Sequence, residues 1–72
     1  MNFRVRWHDL VKRPKDAAIN DACSIVQITH DRYHIFTGSH VNGNYLTADT
    51  TEGVDLILEE FYVKDEGWRK AP

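Results

Sequence analysis

The 72-residue sequence contains a single cysteine, Cys23, so no disulfide can form within the chain. A free thiol is typical of a reducing compartment, which leads us to expect a cytoplasmic protein. The longest aliphatic run, Leu56-Ile57-Leu58, is far too short to span a bilayer. Arg4 and Arg6 interrupt the region where a secretory leader would need an apolar stretch. These absences predict one soluble domain without covalent cross-links.

The motifs of metal and nucleophilic chemistry are also missing. The sequence has no Cys-x-x-Cys and no His-Glu-x-x-His, the spacings that commonly hold zinc. Its glycines are scattered, so no glycine-rich loop can cradle a phosphate. Ser39 and His40 are adjacent on a predicted strand and would point to opposite faces, while Cys23 lacks any supporting motif. We therefore expect neither an enzyme nor a bound metal or cofactor.

Charge is divided unevenly along the chain. Residues 1–15 hold five basic side chains and one acidic side chain, whereas residues 49–66 hold seven acidic side chains and one basic one. The formal net charge of −2 conceals this division. Because surface charge governs which partners a protein attracts, the sequence predicts two faces of opposite sign.

The first half of the chain has the pattern of a strand followed by a helix. Apolar and basic side chains alternate at the N-terminus, in the order Phe3, Arg4, Val5, Arg6, Trp7 and His8. A period of two predicts a half-buried strand with its basic side in water. Pro14 suits the first turn of a helix, which we expect over residues 14–23.

Residues 24–29 and 33–37 predict a β-hairpin around a short turn. If Thr29 lies opposite Arg32, the register places Ile28 opposite Tyr33. One face of the hairpin is then apolar throughout, with Val26, Ile28, Tyr33 and Ile35. A slip of one residue would expose this set, which is why we expect that register.

The second half predicts a further strand and an amphipathic helix. Asn42-Gly43 favours a two-residue turn that joins a strand ending near Val41 to a strand over residues 44–48. Asp49 precedes Glu52 by three residues, a pattern that resembles a capping box. A helix over residues 50–63 is predicted by an apolar stripe at positions i, i+3, i+4 and i+7, formed by Val54, Ile57, Leu58 and Phe61.

These elements predict an α+β fold: a small three- to four-stranded antiparallel sheet with two helices, in the order β-α-β-β-β-α. Residues 1–64 would form the single domain and residues 65–72 a flexible tail. From the first helix onward, the order resembles that of double-stranded-RNA-binding domains. Those domains hold phosphate with a lysine cluster at the start of the last helix, whereas this chain has Asp49-Thr50-Thr51-Glu52 there. The resemblance therefore implies topology alone.

The two charged faces and the lack of catalytic motifs favour a non-enzymatic interaction protein that docks on a larger partner and inhibits or redirects it. In size and in its lack of disulfides and enzyme motifs, the chain resembles small bacteriophage proteins that bind host enzymes, such as inhibitors of bacterial RNA polymerase. That resemblance implies transcription regulation in the host cytoplasm, and it transfers no residue. We expect a monomer that contacts no membrane.

Two sets of candidate contact residues follow from the charge division. The basic set is Arg4, Arg6, Trp7, His8, Lys12, Arg13 and Lys15. The acidic set is Asp49, Glu52, Asp55 and Glu59, which recur every three or four residues along one side of the predicted helix. The acidic set is either a surface that imitates the spaced phosphates of a nucleic acid or a merely solvated helix face. The alternative function is a nucleic-acid-binding module that uses the basic set, with Trp7 as a stacking ring.

Overall fold

A computed structural model of the protein describes residues 5–38 and 44–72. The five strands form one sheet in the order β4-β3-β2-β1-β5, and all neighbouring strands are antiparallel. The α+β class and the antiparallel sheet are confirmed, but the sheet has five strands and the chain order is α-β-β-β-β-α-β. The elements are α1 (Trp7–Leu10), β1 (Ala17–Ile19), β2 (Cys23–Thr29), β3 (Arg32–Thr37), β4 (Asn44–Ala48), α2 (Thr51–Glu60) and β5 (Arg69–Lys70).

The N-terminal segment forms a helical turn at Trp7 and His8, where the predicted strand is wrong. The N–H of Val11 donates to the carbonyl oxygen of Trp7 at 2.9 Å. This turn brings Trp7 and Val11 to the same side of the chain, and both side chains are buried. Burial of a tryptophan outweighs the strand preference of an alternating segment. Phe3 and Arg4 lie outside the described residues.

A hairpin of β1 and β2 replaces the helix predicted over residues 14–23, so that prediction is wrong. The side-chain Oδ1 of Asn20 accepts hydrogen bonds from the N–H groups of Ala22 at 2.8 Å and Cys23 at 2.7 Å. An asparagine that bonds the backbone in this way competes with helix formation and favours a turn. The turn at Asn20 therefore folds the chain back into a second strand.

The predicted hairpin of β2 and β3 is present, but its register is as predicted only beside the turn. Thr29 lies opposite Arg32, whereas Tyr33 lies opposite Gln27 and not Ile28. Ile28 is the extra residue of a β-bulge, which shifts the pairing of every residue beyond it.

Because of the bulge, the side chains of β2 that face the core are not those predicted from the sequence. Ile25 and Gln27 are buried against the core, while Val26 is half-buried and Ile28 is exposed. On the edge of β2 that faces away from β3, the N–H of Gln27 donates to the carbonyl oxygen of Asp16 at 2.8 Å. The register thus depends on the segment before β1 as well as on the hydrophobic pattern.

β4 pairs with β3 along its whole length, with Asn44 opposite Thr37. The two-residue turn predicted at Asn42-Gly43 would instead place Val41 opposite Asn44. Residues 39–43, which include that turn, lie outside the described residues. The strand at residues 44–48 is confirmed.

Helix α2 begins one residue later than predicted and has a different cap. The Oγ1 of Thr50 accepts a hydrogen bond from the N–H of Gly53 at 2.9 Å, so Thr50, and not Asp49, is the N-cap. Val54 and Leu58 of the predicted stripe are fully buried. The apolar periodicity therefore placed the inner side of the helix correctly.

The helix ends at Glu60 in a Schellman motif, shorter than predicted. Tyr62 has a φ of 58°, and the N–H of Val63 donates to the carbonyl oxygen of Leu58 at 3.0 Å. The reversal returns Val63 to the core, although Val63 lies off the stripe, and leaves Phe61 exposed.

The hydrophobic core lies between the two helices and one face of the sheet. Trp68 closes this core, and the residues after it pair with β1 as β5. The segment 65–72, for which the sequence predicts a flexible tail, therefore contains a strand. The buried hydrophobic residues are Trp7, Val11, Ala18, Cys23, Ile25, Tyr33, Ile35, Ala48, Val54, Leu58, Val63 and Trp68.

The turn between β1 and β2 yields a test of the fold. Asn20→Ala leaves the N–H groups of Ala22 and Cys23 without their acceptor, and we expect the free energy of unfolding to fall by about 1–3 kcal/mol. Asn20→Asp keeps an oxygen acceptor and should recover most of that loss. Urea denaturation of both variants measures the difference, and equal losses would show that the turn does not depend on Oδ1.

Candidate functional site

The fold places Trp7 in the core and not on the surface. Its side chain is 0% exposed, and its ring meets Tyr33 edge-on with the ring centroids 5.6 Å apart. Its Nε1–H donates to Oδ1 of Asp55 at 3.1 Å. Trp7 therefore connects β3 to α2, and its ring is not accessible for the stacking role predicted from the sequence.

The two oppositely charged segments contact one another beside Trp7. The Nε2 of His8 lies 3.4 Å from Oδ1 of Asp55, which makes an ion pair when the imidazole is protonated. The Nε of Arg6 lies 3.7 Å from Oδ1 of Asp65. Part of the charge that is separated along the sequence is thus neutralised within the fold.

Another member of the basic set, Arg13, also pairs with an aspartate. The N–H groups of Lys12 and Arg13 donate to Oδ2 of Asp16 at 3.2 and 3.1 Å, and the Nε of Arg13 lies 3.6 Å from the same oxygen. Burial tends to raise the pKa of Asp16, but these donors and the nearby positive charge outweigh it and hold the pKa below its usual value. Lys12 and Lys15 are exposed. Arg4 lies outside the described residues.

The outer face of α2 has a different character. We use this name for Glu52, Leu56, Glu59 and Glu60, which are all exposed and lie on the side of the helix opposite Val54 and Leu58. Leu56, at the centre of the face, is 68% exposed. The face is therefore an apolar side chain surrounded by carboxylates.

The predicted acidic set is divided by the fold. Glu52 and Glu59 lie on the outer face of α2. Asp55 is half-buried and turned toward Trp7, while Asp49 precedes the helix with its Oδ1 3.5 Å from Nε of Arg32. Asp49 and Asp55 therefore have partners within the fold, whereas Glu52 and Glu59 form no salt bridge among the described residues.

The glutamates of the outer face of α2 differ from the aspartates of the chain in their pairing. Each salt bridge among residues 5–38 and 44–72 uses an aspartate. No glutamate of the chain takes part in one within those residues, and the carboxylate of Glu52 has only the Thr51 hydroxyl as a neighbouring donor at 3.3 Å. Within the described residues, these glutamates therefore have no basic partner.

Sequence reasoning missed two members of this surface, Leu56 and Glu60, and the exposure of Tyr62 beside the helix. Leu56 falls off the apolar stripe, and that departure was the available signal for an exposed apolar residue. Glu60 follows Glu59 on the same side. Tyr62, just beyond the helix, is 88% exposed, and its positive φ of 58° follows from tertiary packing of Val63 that the sequence does not show.

Other chemistry has little support in the described part of the chain. No group of three or more histidine, cysteine, aspartate or glutamate side chains converges there as a metal site would require. Burial raises the pKa of the Cys23 thiol to about 11, so this thiol is a poor nucleophile at neutral pH. None of the described helices has the length and apolar character needed to cross a membrane.

Comparison with known proteins adds no relative. No protein-family model, no curated protein and no solved structure matches the chain. The functional conclusion therefore depends on the surfaces themselves.

The backbone at Tyr62 provides a test of whether this residue serves stability. Glycine adopts a positive φ without the clash that a β-carbon causes, so Tyr62→Gly should raise the free energy of unfolding by about 0.5–1 kcal/mol. Tyr62→Ala, which keeps the β-carbon, should give no comparable gain. Thermal or urea unfolding measures both variants. A loss of stability in Tyr62→Gly would show that the exposed ring stabilises the fold.

Proposed function

We propose that this protein is a non-enzymatic interaction module that docks on a larger protein through the outer face of α2 and inhibits or redirects that partner. One observation carries the proposal: Leu56 is 68% exposed at the centre of glutamates that have no salt bridge within the described chain. A single exposed leucine is ordinary on a protein surface. Its combination with unneutralised charge on the same helix face is what favours docking.

The chemistry of this face indicates the chemistry of its partner. An exposed helix binds by placing its apolar residue in a groove, and Leu56 would be that residue. Glu52, Glu59 and Glu60 would then contact lysines and arginines at the rim of the groove, which speeds encounter and fixes orientation. Tyr62, just beyond the helix, is 88% exposed, and tyrosine is enriched among residues that dominate binding energy.

Bacterial RNA polymerase is the partner that we would test first. The chain resembles small phage regulators in size and composition, and a polymerase offers basic channels that an acidic helix can enter. This would make the protein a transcription regulator that acts in the cytoplasm of the bacterial host. The nucleic-acid-binding alternative that uses the basic set has less support, because Trp7 is buried and because Arg6 and Arg13 pair with aspartates that are only 24% and 14% exposed.

Capture of partners from a bacterial lysate tests the docking proposal. Tagged wild-type protein should retain a large protein at physiological salt, identified by mass spectrometry. Leu56→Ser and the double variant Glu52→Lys with Glu59→Lys should each reduce capture by roughly tenfold to thirtyfold, the range expected for central interface residues.

Glu66→Lys is the matched control, since it reverses the charge of an exposed glutamate outside α2 and should leave capture unchanged. Circular dichroism of each variant establishes that the fold persists. Equal capture by all variants, or no large protein retained by the wild type, would contradict docking through this face.

A further inference from the structure

The sheet has a second face that no helix of the described chain covers. Buried Ile25, Tyr33 and Ile35 alternate with residues that point the other way, such as His34 and Phe36. Both helices contribute to the single core on the buried face. We call the opposite side of the sheet the open face.

The strand registers arrange one row of residues across the open face. Tyr45 of β4 lies opposite Phe36 of β3, which lies opposite Ser24 of β2. The row continues through Ile19 of β1 to Arg69 of β5. It therefore runs from Tyr45 at one edge of the sheet to Arg69 at the other, and the side chain of Phe36 is 37% exposed.

The charge of the sheet is of one sign. The five strands contain no aspartate or glutamate, and their only formally charged residues are Arg32, Arg69 and Lys70. Arg32 shares a face with Phe36, since the two are four residues apart on β3. The strands themselves therefore hold no carboxylate that would repel a polyanion, and the carboxylates that pair with the two arginines, those of Asp49 and Asp21, lie outside the strands.

The two ion pairs at the rim of the open face can be exchanged for contacts between the arginines and a phosphate. Nε of Arg32 lies 3.5 Å from Asp49, and a terminal nitrogen of Arg69 lies 3.5 Å from Asp21. Both arginine side chains are 58% exposed, and the two aspartates are 75% and 100% exposed. Such exposed pairs contribute little to stability, whereas guanidinium groups bind phosphate in a bidentate manner.

We infer that the open face binds single-stranded nucleic acid, with a base stacked on Phe36 and phosphates held by Arg32 and Arg69. Three strand spacings separate Phe36 from Arg69, and four residues of β3 separate it from Arg32, so each arginine Cα lies about 14 Å from that of Phe36. Unpaired bases can reach an aromatic ring on an open sheet, and aromatic side chains are the usual stacking platforms of such modules. This surface and ligand are distinct from those of the proposed docking function.

Fluorescence anisotropy of a labelled oligonucleotide tests the inference. The probes are single-stranded oligo(dT) and oligo(U) of roughly ten nucleotides, within the site size of small single-strand-binding modules. We expect binding at low salt that weakens as salt is raised. Phe36→Leu keeps an apolar side chain without the ring and should weaken binding by about tenfold.

The arginines are tested by their effect on salt dependence. Arg32→Gln with Arg69→Gln should reduce the slope of log affinity against log salt by about 1.4, which corresponds to two lost phosphate contacts. Lys64→Gln removes one positive charge outside the sheet and should leave the slope nearly unchanged. A urea unfolding curve for each variant separates a loss of binding from a loss of folding.

Three results would overturn the inference. The first is no rise in anisotropy at low salt for the folded wild type, and the second is equal binding by wild type and all variants. The third is a protein dimer in sedimentation velocity without nucleic acid that Phe36→Leu dissociates, because the open face would then be covered by a second copy of the chain.

Discussion

Burial of Trp7 is the interaction on which the rest of the structure depends. The ring packs on Tyr33 in the sheet, and its N–H reaches Asp55 of α2, 48 residues away in the sequence. Full burial of a tryptophan is worth roughly 4–6 kcal/mol, a large part of the stability of a domain this small. The same contact fixes the N-terminal segment against the helix, which no disulfide could do in a chain with one cysteine.

Because of this contact, the charge that is divided along the sequence is divided in the structure between two layers, helix α2 and the sheet. Asp55 is used internally by Trp7 and His8, so the negative charge of the outer face of α2 comes from glutamates alone. The opposite layer, the sheet, contains arginines and no acidic residue. This division underlies the two partners that we propose, a basic protein groove for the helix and a nucleic acid for the open face.

The elements with local signals could be predicted from the sequence, and those that depend on distant contacts could not. The apolar stripe that begins at Val54 predicts α2, because the residues of one helix face are only three or four positions apart in the sequence. The helix predicted over residues 14–23 is absent because the side-chain hydrogen bonds of Asn20 favour a turn over a weak helical pattern. The bulge at Ile28 depends on pairing with the segment before β1. In the candidate site, Glu52 and Glu59 could be predicted from the sequence, but the hydrogen bond between Asp55 and Trp7 follows from tertiary structure alone.

A double-mutant cycle on Trp7 and Asp55 tests the central contact most directly. Trp7→Phe removes the indole N–H, and Asp55→Ala removes its acceptor, so the free energies of unfolding of wild type, both single variants and the double variant isolate the coupling. The account predicts that the single variants are each destabilised and that the double variant loses less than their sum, with a coupling of about 0.5–3 kcal/mol. Strictly additive losses would contradict it, because Trp7 would then stabilise the fold without its bond to α2.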